Sequence, residues 1–173
     1  MAKAQTRSSR HGNRSCVSGT SAIHGGRARS RARRLALQGL YQWQLSGTPA
    51  DEIRVQLLVG PNLRGTDTAY FEALLSEAIA DCQALEALFG EYLDRPPAQL
   101  DPVERGILLL GTCELKSRSE VPYRVVLNEA VELAKRFGAE DAHKYINAVL
   151  ERVCREVRSA EFKPQARTDG ARA

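Results

Sequence analysis

The chain has 173 residues, 27% charged, 43% hydrophobic and 6% aromatic, which suits one globular domain and leaves little room for a second. Formal net charge is +4, but residues 1–34 carry nine Lys/Arg and no Asp or Glu, so the rest holds 16 (25 less 9) Lys/Arg against 21 Asp/Glu. No apolar run nears the roughly 18 residues of a membrane-spanning helix, and a basic end on a mildly acidic body points either to a polyanion partner or to a solvated tail.

Residues 1–28 are rich in Ser, Gly, Arg and Thr and nearly free of large apolar side chains. Such a segment cannot offset its ordering entropy, and a disordered basic tail is expected. Its acid-free, Arg/Ser-rich composition also resembles an organellar transit peptide, and it has no apolar stretch for a secretory signal. Leu37, Leu40, Tyr41, Gln44 and Leu45 then recur at helical spacing and predict a helix over 30–45, ending near Ser46 and Gly47. Thr48 as cap and Pro49 at the first position start a short helix to about Val59. The stretch GPNLRGTD (60–67) reads as a loop. From Thr68, the residues Tyr70, Phe71, Leu74, Leu75, Ala78 and Ile79 predict a helix running toward Leu93 with a bend near Asp81, and RPP (95–97) breaks it.

The tetrapeptide DPVE (101–104) is a strong helix start: Asp101 caps, Pro102 fits the first position, and Glu104 stands where a capping-box carboxylate belongs. Apolar residues 107–110 cover every side of that helix, which should therefore be central and buried through about Ser117. Val121 and Pro122 open the next helix, with Val126, Ala130, Leu133, Ala134 and Phe137 as its stripe and Gly138 as its stop. The last helix is predicted from Asp141 to Ser159, with Ile146, Val149, Leu150, Val153 and Val157 inward. Residues 161–173 read as a second disordered tail. The expected fold class is all-α, a compact bundle of about seven helices in one domain over 29–160.

No catalytic constellation emerges. The cysteines (Cys16, Cys82, Cys113, Cys154) and histidines (His11, His24, His143) lack metal or redox spacing, and the cysteines read as small buried hydrophobes in a reducing cytosol. Phosphate-binding loop, nucleophile-elbow and zinc-protease motifs are all absent from the sequence. Capping accounts for Asp101 and Glu104, Glu132 stands i,i+4 to Arg136 as an ordinary surface pair, and Asp141 beside His143 is a helix cap more simply than an acid–base partner. Neither enzyme activity, cofactor nor metal is expected. The first helix carries more information. It begins SRARR (30–34) and continues to Tyr41 and Trp43. Guanidinium groups contact phosphates, and aromatic rings stack on unpaired bases at about 1–3 kcal/mol per base. Tyr41 falls on the apolar stripe and Trp43 about 200° away. One of the two should lie outside the stripe, although core or rim packing would also explain both.

Three segments then go beyond generic pattern: RARRLALQGLYQWQLSG (31–47), DPVERGILLLGTCEL (101–115) and VPYRVVLNEAVELAKRFGAEDAHKYINAVLERV (121–153). Together they resemble the NusB family of bacterial transcription antitermination factors, over about residues 29–158. The resemblance implies two packed helical subdomains in a cytoplasmic protein, monomer or homodimer. It implies binding to the boxA element of nascent ribosomal RNA, together with the small-subunit ribosomal protein that acts as NusE. The complex would join elongating RNA polymerase and other Nus factors and suppress termination. The family's RNA-binding surface carries over to Arg29, Arg31, Arg33, Tyr41, Asp141, Lys144 and Tyr145, and its NusE-facing surface to Glu104. Each of the last residues has a plainer reading beside it: Asp141 as a cap, Tyr145 as core, Glu104 as a capping box. Arg34, where many members have Glu, and Gly39, where Ala is usual, depart from the family pattern. A similar helical domain precedes the catalytic part of a ribosomal RNA cytosine methyltransferase, but no strand-rich cofactor domain follows here, so a free-standing adaptor is expected.

Overall fold

The computed structural model describes residues 20–59 and 63–162, with side chains from 25 onward. Most of the predicted basic tail and residues 163–173 lie outside them. Among the described residues the chain forms seven α-helices and no strand: α1 (Thr20–Ser46), α2 (Ala50–Leu58), α3 (Thr68–Ala80), α4 (Cys82–Gly90), α5 (Pro102–Ser117), α6 (Tyr123–Phe137) and α7 (Ala142–Val157). Helices α1, α2 and α3 pack on one another as one subdomain, and α5, α6 and α7 as the second. Helix α5 joins the two, because it also packs against α1, α3 and α4.

The sequence explains why α5 takes that place. Residues 106–115 are all buried, including Gly106, Gly111 and Glu114. A Cβ at Gly106 would stand 2.9 Å from Leu37 of α1, and one at Gly111 would stand 2.7 Å from Leu150 of α7. The two glycines thus let a helix from each subdomain approach α5 closely. At the C-terminus of α5 the buried Arg158 donates to the carbonyls of Glu114, Leu115, Arg118 and Val121 at 2.6–2.9 Å. One guanidinium therefore satisfies the Leu115 and Val121 carbonyls that the helix end and the following turn leave unpaired, and adds a second bond to those of Glu114 and Arg118, which already accept from the Arg118 and Val121 N–H groups.

The helix ends revise several expectations. Helix α1 begins at Thr20, ten residues before the expected start. Extending an existing helix is far cheaper than nucleating one, and α1 is anchored where the Ala28 carbonyl accepts from the Asp67 N–H at 3.2 Å. Thr48 does not cap α2: its hydroxyl lies 2.6 Å from that of Ser46, and Pro49 occupies the cap position. The expected bend at Asp81 is a single non-helical residue between α3 and α4, across which the Asp81 and Leu85 N–H groups still donate to the Glu77 and Asp81 carbonyls at 2.9 Å. Asp101 caps α5 by accepting from the Val103 N–H at 2.8 Å, but Glu104 makes no return bond among the described residues, so the box stays half-formed. Asp141 precedes α7 in the left-handed region (φ 62°), which Asp tolerates better than most residues, and its side chain caps nothing. It pairs instead with Lys144, Oδ1 to Nζ 2.8 Å. Gly39 has a packing reason: a Cβ there would meet Leu75 at 2.9 Å and Ile53 at 3.3 Å.

Cys82, Cys113 and Cys154 are free and buried, as expected of small core residues. Burial pushes the thiols of Cys113 and Cys154 up to about 11, so both stay protonated and inert at neutral pH.

Candidate nucleic-acid interface

Helix α1 presents two faces with different chemistry. Ala32, Ala36 and Leu40 point inward, with Trp43 packed on the core beyond them. Arg31, Arg34, Gln38 and Tyr41 recur at i, i+3, i+7, i+10 and line an open groove of about 670 Å³. Tyr41 is 43% exposed and so lies outside the apolar stripe, whereas Trp43 packs on the core beneath the Arg105 guanidinium, 5.8 Å from its ring. This reverses the expected placement of Tyr41. The true inward stripe centres on small residues, which let α1 approach α3 and α5.

The opposite wall of the groove comes from Arg64, before α3, and from Arg136 and Phe137 at the end of α6. The Arg136 guanidinium lies 5.4 Å over the Phe137 ring, which is 46% exposed. Arg31 donates from Nη1 to the Gly65 carbonyl at 2.8 Å, which ties the two walls together. Four guanidinium groups thus line the groove with no Asp or Glu among its walls. Desolvated little and unopposed, they suit a polyanion, and the two half-exposed rings suit the faces of unpaired bases.

Arg33 does not belong to this surface. It is 3% exposed and forms a two-pronged bond to Glu114, itself 2% exposed, at 2.7–3.0 Å. Burial opposes its charge, but the bond to Glu114 and that carboxylate's charge outweigh it and raise the guanidinium pKa further. Tyr70 donates its hydroxyl to the same carboxylate, and burial, then the Glu114 charge, push its phenol well above the ordinary range. Glu129 completes the cluster, 3.5 Å from Arg33 and bonded by Ser30 at 2.8 Å. Arg29 is also engaged with the fold: it stacks 4.7 Å over the Tyr70 ring and lies 3.7 Å from Asp67, with 39% of its side chain exposed.

The remaining predicted residues sit just past Phe137. Asp141 and Lys144 form an exposed pair in the turn and first helical residues that follow. Tyr145 is only partly buried: its ring packs on the core, and its hydroxyl donates to Asp94 at 3.1 Å. Bonds from Arg95 and Tyr145 hold the exposed Asp94 carboxyl at about 2. Near them, burial and then the neighbouring Asp101 raise the Glu104 carboxyl above its ordinary value, with Arg95 pulling it back. The structure therefore brings Arg31 and Tyr41 into one groove. Asp141, Lys144 and Tyr145 lie beyond its rim, and Arg33 is removed to the interior. Among the described residues no three His, Cys, Asp or Glu side chains gather where they could hold a metal.

A family model described as NusB family matches residues 30–155. A transcription antitermination protein NusB from Nitrosococcus oceani is 51% identical over 138 residues, covering 80% of this chain and 93% of that protein. The chain belongs to the NusB family. Among solved NusB structures, the solution structure of NusB from Aquifex aeolicus is 26% identical, with TM-score 0.65, and covers 82% of this chain and 97% of that one. A crystal structure of antitermination factors NusB and NusE in complex with dsRNA matches at 28% identity and TM-score 0.67, covering 75% of this chain and 98% of that one.

Within the NusB framework, sequence reasoning missed Arg64, Arg136 and Phe137. Arg34 belongs to the basic SRARR run and departs from the family pattern, and its spacing to Arg31, Gln38 and Tyr41 is the signal that places it on the same face. The helical period places Phe137 in the core stripe, and i,i+4 spacing pairs Arg136 with Glu132. In the structure Glu132 pairs with Lys135 at 2.9 Å, which leaves Arg136 without an ion pair among the described residues. No local pattern joins Arg64 to α1, because that proximity is tertiary.

Proposed function

We propose that this chain is a non-catalytic RNA-binding adaptor of transcription antitermination, acting in the bacterial cytoplasm. It binds the boxA element of nascent ribosomal RNA together with NusE and joins RNA polymerase and other Nus factors to suppress termination. The observation that carries this reading is the acid-free groove with its four arginines and two half-exposed rings. Arg31, Arg34, Arg64 and Arg136 neutralise phosphates, and Tyr41 and Phe137 stack on splayed bases. Lys144 extends the positive rim, and Asp141 can accept from base amino groups. Arg29 contributes at the edge, while Arg33 acts only through the fold.

The NusE-facing surface centres on Glu104, with Asp94, Arg95 and Tyr145 beside it. A carboxylate raised by burial and a neighbouring acid is stabilised by an incoming cation, so a basic partner side chain fits there. RNA and protein partner then meet on either side of the α6–α7 turn, and each orders the other's site.

The test is titration with boxA RNA across salt concentrations. Contacts from four arginines predict a log–log slope of about −3, at roughly −0.7 per single-strand phosphate. A slope near zero overturns the reading.

A further inference from the structure

A second trough, of about 650 Å³, runs between α6 and α7 on the far side of Lys144. Arg124, Lys135 and Lys144 line it, and its one lining carboxylate is Glu151. Lys135 and Lys144 hold only exposed carboxylates, Glu132 at 2.9 Å and Asp141 at 2.8 Å, and such pairs exchange readily for another anion. Arg124 has no ion pair among the described residues. Its guanidinium lies 5.7 Å over the Tyr123 ring and donates to that hydroxyl at 3.2 Å, which makes a flat cationic plate at the trough's end. The exposed Asn128 amide makes no hydrogen bond among the described residues, and an amide of this kind reads a base edge with paired bonds.

A hollow between the two shares Arg34 and Arg136 with the groove on α1 and Lys135 with the trough, and it also carries Glu129 and Glu132. From Lys135 back to Arg124 the face covers 12 residues of α6, about 16 Å over 11 steps of 1.5 Å. We infer that this trough holds single-stranded RNA flanking boxA, with Arg124 on a phosphate and Asn128 on a base. The inference rests on the RNA-adaptor reading and lengthens its footprint. The unbonded amide and the ring-stacked guanidinium decide for RNA over an acidic peptide, because they suit bases as well as phosphates.

The test compares a boxA-length RNA with RNAs extended by several nucleotides at the 5′ or the 3′ end. The intact chain is measured against the double variant Arg124→Ala/Asn128→Ala, both exposed positions. One extension should bind the intact chain more tightly and with a steeper salt slope. The double variant should lose that gain and about 0.7 of slope, while binding the short RNA as before. If neither extension improves binding, or if the variant weakens the short RNA equally, the trough does not hold RNA flanking boxA. Loss of NusE binding with unchanged RNA binding would make it a protein-docking face and would also overturn the inference. Failure of the intact chain to bind even the short RNA would bring down the adaptor reading and this inference together.

Discussion

Arg31 and Arg33 stand two residues apart in one basic run, and the structure gives them opposite environments. Arg31 lies on the groove face of α1, near solvent, with one bond to the Gly65 carbonyl. Arg33 lies on the inner face, fully bonded to Glu114 in the heart of the molecule. A helix turns about 200° over two residues, so neighbours in such a run face opposite ways. The inner arginine fixes α1 to α5, and the outer ones present charge. A basic run is therefore two surfaces rather than one, and mutation should separate them.

The largest contrast should come from Arg33→Ala. It strands the Glu114 carboxylate without its cation, which costs about 3–5 kcal/mol, and urea unfolding should show a lower midpoint with unchanged slope. Arg31→Ala should shift stability by no more than about 0.5 kcal/mol, yet lower the RNA salt slope by about 0.7. Equal effects of the two variants on stability would erase the distinction. Next comes Arg158→Ala, which leaves the Leu115 and Val121 carbonyls without their donor and removes a second bond from those of Glu114 and Arg118, and should cost about 2–3 kcal/mol in the same assay. Tyr41→Ala should weaken RNA binding by about 1–3 kcal/mol with little change in melting temperature. An early-melting variant with unchanged RNA affinity would return Tyr41 to the core.

Two smaller effects sharpen the same contrast between inside and outside. Thr112 is fully buried, and its hydroxyl lacks a partner among the described residues. Thr112→Val should therefore raise stability by about 1 kcal/mol, read as a higher melting temperature. Outside, the Asp94 carboxyl is held at about 2 by Arg95 and Tyr145, below its ordinary value. A depressed carboxyl stabilises fully above its unfolded pKa, and the contribution disappears as pH falls through the folded one. The Tyr145 ring signals in NMR should stay constant from neutral pH to about 4 and shift as pH approaches 2. A shift with its midpoint at about 4, the ordinary aspartate value, would show that the Asp94 bond does not form in solution.

Much of this was readable along the chain. The apolar periods of α3, α5, α6 and α7 located those helices, and the unbroken run at 107–110 marked α5 as central. Proline marked the starts of α2, α5 and α6, and Gly138 the end of α6. Long-range partners were harder to see. Glu114 looked like one more helix residue, and only its proximity to Arg33 and Tyr70 gives it a role. Tyr41 matched an apolar period although α1 uses another strip of its surface, because Ala32, Ala36 and Gly39 allow the closer approach.

The sequence by itself determined the helices, the central place of α5, the likeness to NusB and the concentration of positive charge at one end, since these follow from local periodicity, capping and composition. Only the tertiary structure decided which arginines are offered to a ligand and which are locked inside. That choice depends on the rotation of α1 against α3 and α5, and on the arrival of Arg64, Arg136 and Phe137 from distant segments. Both are set by close packing between helices, which no single stretch of chain encodes.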